Sequence, residues 1–224
     1  MTAEGQTEQG FVKEILAPHL GAFGVFADAR CVMTARDKRI GKTYRGGLFS
    51  YEKAKSDIVT WMKEDGHGEC RFSTMFDLYA LPRNFPGYSG APREMEPYRR
   101  IAILENALRD DVDDRRFIPY IQLHEFEALI FADVRQLDWE YLDHDGPIGR
   151  LANTVCTTKD QNPELIDDGP ETAPSRRIIR EIPGYDKVNA GILVARKIGL
   201  STMRNKCSHF RAWIESLERL AQAS

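Results

Sequence analysis

Strand patterns and amphipathic helix patterns alternate along the first 135 residues, and this alternation restricts the fold more than any other feature of the sequence. The helical patterns cover residues 7–20, 50–64 and 97–111, and the strand patterns cover residues 25–34, 70–79 and 117–123. Chains that alternate in this way form a mostly parallel sheet flanked by helices. The sequence therefore predicts an α/β core over residues 1–135. It also predicts a mainly helical extension over residues 136–224, packed on the core as part of one structural unit.

The chain opens with a Glu-Gly turn directly before the first helical pattern. Gly5 permits a sharp turn, so the Glu4 carboxylate is expected to be presented there. Thr7 is expected to cap the helix, and Glu8 lies in its first turn. Only three residues precede Glu4, so the sequence predicts that the first strand is largely missing. We expect either that the true start lies upstream or that the chain has lost this strand.

Composition excludes several classes of protein. The 34 acidic and 31 basic residues give a formal net charge of −3, so a globally basic nucleic-acid-binding surface is not expected. The four cysteines lie far apart, which favours reduced thiols over a disulfide framework or a zinc site. No apolar run reaches the roughly 18 residues that a membrane helix needs, and no signal-peptide pattern is present. The sequence therefore predicts a cytoplasmic protein that does not enter a membrane.

Acidic residues follow the predicted strands. Ligands of open α/β sheets bind at the carboxyl ends of the strands, where Glu4, Glu8, Asp77, Glu125 and Glu127 are expected. Carboxylates that converge from separate elements suit Mg²⁺ or Mn²⁺, which prefer oxygen ligands. Such ions polarise phosphoryl groups and activate water. The pattern predicts a divalent metal site, although a carboxylate in a first helical turn is more often simply surface.

The motif HEFE, residues 124–127, carries two acids and one histidine. In a strand Glu125 and Glu127 would share a face, whereas in a helix they would diverge by about 200°. At most one of them is therefore expected to bind metal unless the strand continues that far. His124 has no second histidine at ligand spacing, which favours a hydrogen-bonded structural role.

A basic stretch lies between the second strand pattern and the second helix. Its cations are Arg36, Lys38, Arg39, Lys42 and Arg45, followed by two glycines. A solvated loop is the simpler interpretation. The alternative is a flexible loop that contacts phosphates, because Arg and Lys beside Gly let the backbone approach a polyanion.

Two further polar segments occur in the C-terminal part. The polar residues over 167–177 predict a capped turn before a helix that begins near Pro174, or alternatively a second group of metal or phosphate contacts. Lys187, in the motif PGYDKV, is either a surface lysine or a cation that neutralises charge on a transferring phosphate.

Five motifs in order resemble an uncharacterised bacterial family, domain of unknown function 4276, over nearly the whole chain. They are EGQTEQGFVKEILAPHL, FDLYALPRNFPG, RRFIPYIQLHEFEALIF, DDGPETAPSRRI and PGYDKVNAGILVARKIGL. That family is in turn similar to Toprim-type domains, including those of overcoming-lysogenization-defect nucleases. The resemblance implies a Toprim-like sheet, Mg²⁺ binding and action on phosphodiester bonds.

The resemblance also implies roles for individual residues. Glu4 matches the first Glu of the Toprim pattern, Glu8 the acid four residues later, and Asp77 the first Asp of the Asp-x-Asp motif. Tyr79 stands where the second Asp would be, which is a departure that Glu125 or Glu127 would have to compensate. Lys187 aligns with a catalytic lysine.

The expected function is therefore an Mg²⁺- or Mn²⁺-dependent nuclease. Its expected catalytic residues are Glu4, Asp77, Glu125 and Lys187. Its expected metal ligands are Glu4, Glu8, Asp77 and Glu127. The basic stretch would bind nucleic acid, and the resemblance implies an ABC/SMC-type ATPase partner and a role in phage or plasmid defence. One alternative is a non-catalytic subunit of such an ATPase, and another is a module that binds nucleic acid without cleaving it.

Overall fold

The structure, a computed structural model, describes residues 1–37, 42–45, 48, 50–66, 68–92, 95–166, 169 and 172–223, with the backbone alone at 33–37, 42–45 and 223. The strands are β1 (Thr2–Ala3), β2 (Arg30–Cys31), β3 (Met33–Asp37), β4 (Lys42–Arg45), β5 (Phe72–Asp77), β6 (Phe117–Ile118) and β7 (Ile121–Gln122). The helices are α1 (Gln6–Phe11), α2 (Ala17–Gly21), α3 (Tyr51–Glu64), α4 (Pro97–Val112), α5 (Glu127–Ile130), α6 (Asp145–Cys156), α7 (Pro174–Glu181), α8 (Asn189–Lys206) and α9 (Ser208–Glu218). A π-helical segment, Val12–Leu16, joins α1 to α2, and a 3₁₀ segment, Phe131–Trp139, follows α5.

Five strands form one parallel sheet. Its order is β2-β1-β5, and both β6 and β7 pair with the far side of β5. Pro119 lies between β6 and β7, where its missing N–H cannot contribute to a ladder. The predicted α/β fold with a mostly parallel sheet is confirmed.

The first strand is as short as the sequence predicts, yet the sheet has no gap there. Thr2 pairs with Arg30 on one side and with Thr74 on the other. The backbone N–H of Glu4 extends the ladder by donating to the carbonyl of Met75 at 3.0 Å. Two residues, paired on both sides, are therefore enough to place β1 between β2 and β5.

The strand predicted over residues 25–34 is wrong over most of its length. Only Arg30–Cys31 joins the sheet, and Met33–Asp37 turns into a separate antiparallel hairpin with β4. Phe26, expected to be a strand residue, is 95% exposed. The physical reason is that β1 offers only two residues to pair with, so a longer β2 would have no partner.

The two faces of the sheet bury separate hydrophobic clusters, as the alternation along β5 requires. Phe72 and Phe76 contact the cluster that contains α3 and α4, while Met75 contacts the cluster that contains α1, α8 and α9. The indole of Trp213 in α9 donates to Ser73 Oγ at 3.0 Å. The C-terminal helices therefore share a core with the sheet, and the division of the chain at residue 135 stays a prediction.

Candidate acidic site at the carboxyl ends of the strands

Three strands of the sheet end beside acidic residues. Glu4 directly follows β1, Asp77 is the last residue of β5, and Glu125 lies three residues after β7. Because these strands run parallel, their carboxyl ends meet at one edge of the sheet. Glu8 in α1 and Glu127 in α5 reach the same edge from the helices that begin there.

A hydrogen bond joins the ends of β1 and β5. The backbone N–H of Asp77 donates to Glu4 Oε2 at 2.9 Å. Burial raises the pKa of Glu4 to about 7, and the neighbouring Glu8 and Glu125 carboxylates raise it further, while the hydrogen bond from Asp77 and the charge of Lys187 oppose the change. A carboxyl with this pKa exchanges its proton near neutral pH.

Glu8 is held by the turn at which α1 begins. Its Oε2 accepts a hydrogen bond of 2.8 Å from the backbone N–H of Gly5, which occupies the N-cap position. A Cβ at residue 5 would lie 3.1 Å from that oxygen, so the close approach favours glycine. The prediction that Thr7 caps this helix is wrong, because the Glu8 carboxylate caps it from inside the first turn. Burial raises the pKa of Glu8, against the charge of Lys187.

Glu125 and Glu127 both reach the site. The divergence expected for two residues of one helix does not apply, because α5 begins at Glu127 and Glu125 lies in the preceding turn. Glu125 Oε1 accepts a hydrogen bond of 2.5 Å from the backbone N–H of Ser175, in the first turn of α7. Glu127 is fully buried, and this burial raises its pKa to about 7 against the opposing charge of Lys187.

The ammonium of Lys187 lies among these carboxylates. Its Nζ is 2.9 Å from Glu127 Oε2, 3.6 Å from Asp77 Oδ2 and 4.0 Å from Glu125 Oε2. Burial alone would lower the pKa of Lys187, but the surrounding carboxylates outweigh it and raise that pKa above its ordinary value. Burial also raises the pKa of Asp77 well above its usual range, despite the favourable charge of Lys187.

Four buried polar atoms of the site make no hydrogen bond with any described residue. They are Asp77 Oδ1, both carboxylate oxygens of Glu127 and the hydroxyl oxygen of Tyr185. Of these, Glu127 Oε2 has the Lys187 ammonium at 2.9 Å as an ion-pair partner. A Cβ at Gly191 would lie 3.1 Å from the Tyr185 hydroxyl, so the phenol packs directly over the α8 backbone. Sequence reasoning missed Tyr185. Its place in the motif PGYDKV was the only available signal, since nothing local reveals that a tyrosine is buried.

Tyr79 and His124 bind each other beside the site. The Tyr79 hydroxyl lies 2.7 Å from His124 Nδ1, and His124 Nε2 lies 3.0 Å from the carbonyl oxygen of Glu164. His124 is buried and has a φ of 63°, a left-handed backbone that residues other than glycine adopt rarely. The predicted hydrogen bonding of His124 is confirmed, and its structural role stays a prediction. The Tyr79 hydroxyl helps to hold this histidine.

The basic stretch is a hairpin rather than a loop over the residues that the structure describes. Arg36 lies in β3, and Lys42 and Arg45 lie in β4, so the loop prediction is wrong there. The reason is that β3 and β4 satisfy each other's backbone groups in an antiparallel ladder. Lys38 and Arg39 lie outside the described residues.

The polar segment before α7 is partly described. Pro174 is the first residue of α7, as the sequence predicts. Arg177 Nε donates to the carbonyl of Thr172 at 2.6 Å, and the backbone of Ser175 binds Glu125. Asp167, Asp168 and Glu171 lie outside the described residues.

The carboxylates do not form a ready-made metal centre. Within the described ranges, no three His, Cys, Asp or Glu side chains are grouped closely enough to hold a metal ion. The Lys187 ammonium instead supplies the positive charge. The donor set still suits a hard divalent cation, because all five side chains offer oxygen and two of the oxygens are buried without a partner.

A cavity of about 410 Å³ lies at the opposite edge of the sheet, away from these acids. Its walls include Leu20, Phe26, Trp61, Phe72 and Leu217. Charged side chains, among them Asp28, Asp65 and Arg71, also line it, and none of the five acids described above does.

No helix among the described residues is long and apolar enough to cross a membrane.

Comparison with known proteins gives a family. No curated protein and no solved structure matches the chain. A family model described as a domain of unknown function (DUF4276) matches residues 3–218, a range that includes Glu4, Lys187 and every acid of the site between them. The chain therefore belongs to the DUF4276 family.

Proposed function

We propose that the protein is an Mg²⁺- or Mn²⁺-dependent nuclease with a Toprim-like sheet. One observation carries the proposal. Five carboxylates from separate elements lie at the carboxyl edge of a parallel sheet, three of them within 4.0 Å of one ammonium, and buried oxygens of Asp77 and Glu127 accept no hydrogen bond from the described residues. Burying so much unneutralised charge is costly, and a purely structural edge has no need for it.

Glu4, Glu8, Asp77 and Glu127 are the residues that would hold the cation. Glu4 and Glu8 each use one oxygen for a backbone N–H, and Asp77 and Glu127 each have an oxygen without a hydrogen-bond partner. When bound, the cation would polarise a phosphoryl group and lower the pKa of a water molecule.

The protein's own groups would move the proton and bind the substrate phosphate. During hydrolysis a water oxygen bonds to phosphorus, the bond from phosphorus to the leaving oxygen breaks, and the water proton needs an acceptor. Glu125, the one carboxylate of the site that is not assigned to the cation, would accept this proton. Lys187, whose side chain is 38% exposed, would offset the charge that builds up on the phosphate.

Cleavage of plasmid DNA and of tRNA with Mg²⁺ or Mn²⁺ tests the proposal. We expect Glu4→Gln and Asp77→Asn each to lower the rate by about 100-fold or more, the effect of removing one group that stabilises the transition state. Glu64→Gln is the matched control, because that carboxylate is 59% exposed and its ion-pair partner, the Arg30 side chain, lies away from the acidic site. Equal rates in wild type and both site variants would overturn the assignment.

The wider setting follows from the same proposal. We infer a cytoplasmic nuclease that acts on nucleic acid in phage or plasmid defence, with an ABC/SMC-type ATPase as partner. The basic residues Arg36, Lys42 and Arg45 would contact phosphates. Co-purification of the chain with the candidate ATPase would test the partnership separately from cleavage.

A second candidate is a non-catalytic subunit of that ATPase. The ion pairs of Lys187 favour it, because they already neutralise part of the acidic charge without any cation. Calorimetry separates the two candidates. The nuclease predicts Mg²⁺ or Mn²⁺ binding that Asp77→Asn weakens, whereas the subunit predicts no such binding and stable association with the ATPase.

A further inference from the structure

The Lys187 ammonium occupies the position in which the buried carboxylates need a positive charge. It lies within 4.0 Å of three of them, with its shortest distance, 2.9 Å, to the fully buried Glu127. The oxygens that it does not reach, Asp77 Oδ1 and Glu127 Oε1, accept no hydrogen bond from any described residue. One monovalent ammonium thus satisfies only part of the charge and only some of the oxygens in the site.

The side chain of Lys187 connects the site to solvent. It is 38% exposed, whereas the side chains of Asp77, Glu125 and Glu127 are 6%, 12% and 0% exposed. The acids therefore have little freedom to move outward, while the lysine can rotate toward water about its own flexible bonds. Only a side-chain rotation is needed for the ammonium to leave the carboxylates.

The backbone beside Lys187 is fixed independently of its side chain. Asp186 Oδ1 accepts hydrogen bonds of 3.0 Å from the backbone N–H groups of Val188 and Asn189, and the backbone N–H of Asp186 donates to the Tyr141 hydroxyl at 2.9 Å. These contacts anchor the start of α8 whether or not the ammonium is in place. Moving the ammonium therefore does not require the helix to move.

Resting on the proposed function, we propose that Lys187 is a tethered counter-cation: its ammonium fills the cation position in the metal-free protein and leaves that position, toward the solvent opening, when a divalent cation binds. The two cations exclude each other because both need the oxygens of Asp77 and Glu127. A doubly charged ion also neutralises these buried acids more completely than one ammonium.

The exchange sets an order of binding. While its ammonium is paired with the acids, Lys187 has no charge to spare for a phosphodiester, and the acids repel the polyanion. Once released, the same ammonium stands at the opening, where it is available to a phosphate. Nucleic acid should therefore bind productively only after the divalent cation.

Lysine ammonium NMR on the unchanged chain tests the exchange directly. Ammonium groups held by carboxylates exchange protons slowly enough to be observed, and the signal that Lys187→Met removes identifies Lys187. We expect that signal to disappear or move to the position of free lysine when Mg²⁺ saturates the site. Lys55 is the matched control, since it is 37% exposed and pairs with Asp111 at 2.9 Å, away from the acidic edge. Its signal should stay unchanged.

Calorimetry with Mg²⁺ and Mn²⁺ supplies the second measurement. We expect Lys187→Met to bind the cation about tenfold more tightly or better, because a competing charge about 4 Å away is gone, and Lys55→Met to bind it like wild type. Binding of Mg²⁺ with an unchanged Lys187 signal, or equal affinity of Lys187→Met and wild type, would overturn the exchange and leave the proposed nuclease standing. Failure of wild type to bind either cation would overturn both proposals.

Discussion

The backbone N–H of Asp77 donates a hydrogen bond of 2.9 Å to the Glu4 carboxylate, so the residue that ends β5 holds the residue that follows β1. Glu4→Ala should destabilise the protein by about 1–3 kcal/mol, because it leaves a buried N–H without an acceptor. Glu4→Gln keeps an acceptor oxygen and removes a carboxyl whose pKa is raised by burial, so it should be at least as stable as wild type at neutral pH. Both variants should bind Mn²⁺ more weakly. Guanidinium unfolding and calorimetry measure the two effects. Equal losses of stability in the two variants would contradict the role given to this hydrogen bond.

The pKa of Glu127 predicts how the stability of one variant depends on pH. The folded protein raises this pKa from about 4.5 to about 7, so it binds the proton more tightly than the unfolded chain does. Burying this carboxyl therefore costs least at low pH, where it is protonated. The free energy of unfolding falls by on the order of 3 kcal/mol as the pH rises from about 4.5 through 7. Gln is always neutral and avoids this loss. Glu127→Gln should gain stability relative to wild type between pH 5 and pH 8.

Chemical unfolding at pH 5 and pH 8 checks this difference. Glu64→Gln serves as the control, because its carboxylate is largely exposed and its offset from wild type should be alike at the two pH values. A Glu127→Gln offset that does not change between pH 5 and pH 8 would show that burial does not penalise the Glu127 charge.

The hydroxyl of Tyr185 should contribute little to stability although it is buried. Its hydroxyl has no hydrogen-bond partner among the described residues, so Tyr185→Phe should leave the free energy of unfolding unchanged or raise it by up to about 1 kcal/mol. Tyr120→Phe is the comparison, since the buried Tyr120 hydroxyl donates to Gln122 Oε1 at 2.6 Å and its loss should cost about 1–2 kcal/mol. Thermal unfolding ranks the two variants. A larger loss for Tyr185→Phe would mean that the hydroxyl binds a partner, such as an ordered water.

Tyr79 should contribute to stability and not to cation binding. Its hydroxyl binds the His124 ring at 2.7 Å, so Tyr79→Phe should cost about 1 kcal/mol. The affinity for Mn²⁺ should stay within about twofold of wild type, because the hydroxyl is directed at the histidine. Calorimetry that finds a large loss of Mn²⁺ affinity would instead assign Tyr79 to the site.

Much of the fold could be predicted from periodicity. The helical patterns at 50–64 and 97–111 agree with α3 and α4 within one residue at either end, because each pattern buries a single apolar face. The strand over 25–34 could not be placed, since the length of β2 is decided by its partner β1 and not by its own apolar residues. Strand length in a sheet depends on pairing, which a local pattern does not contain.

The acids of the site were predictable, and Lys187 was a candidate for neutralising a phosphate, but its ion pairs with these acids were not predicted. Glu4, Asp77 and Glu125 lie at strand ends, and the parallel sheet places such ends together. Lys187 pairs with Asp77 across 110 positions of sequence, in a turn that any surface lysine could occupy. Tyr185 is buried by its packing against α8 and Tyr141, and these contacts likewise depend on tertiary structure.

The backbone amides that hold the acids have a consequence for mutagenesis. Glu125 is held by the N–H of Ser175, Glu4 by that of Asp77 and Glu8 by that of Gly5, and side-chain substitutions do not remove an N–H. An alanine scan would therefore score Ser175 as dispensable although its backbone is part of the site. Only proline deletes the donor, and the first turn of α7 tolerates proline. A functional map of this protein drawn from side-chain deletions alone would miss part of what orients its acids.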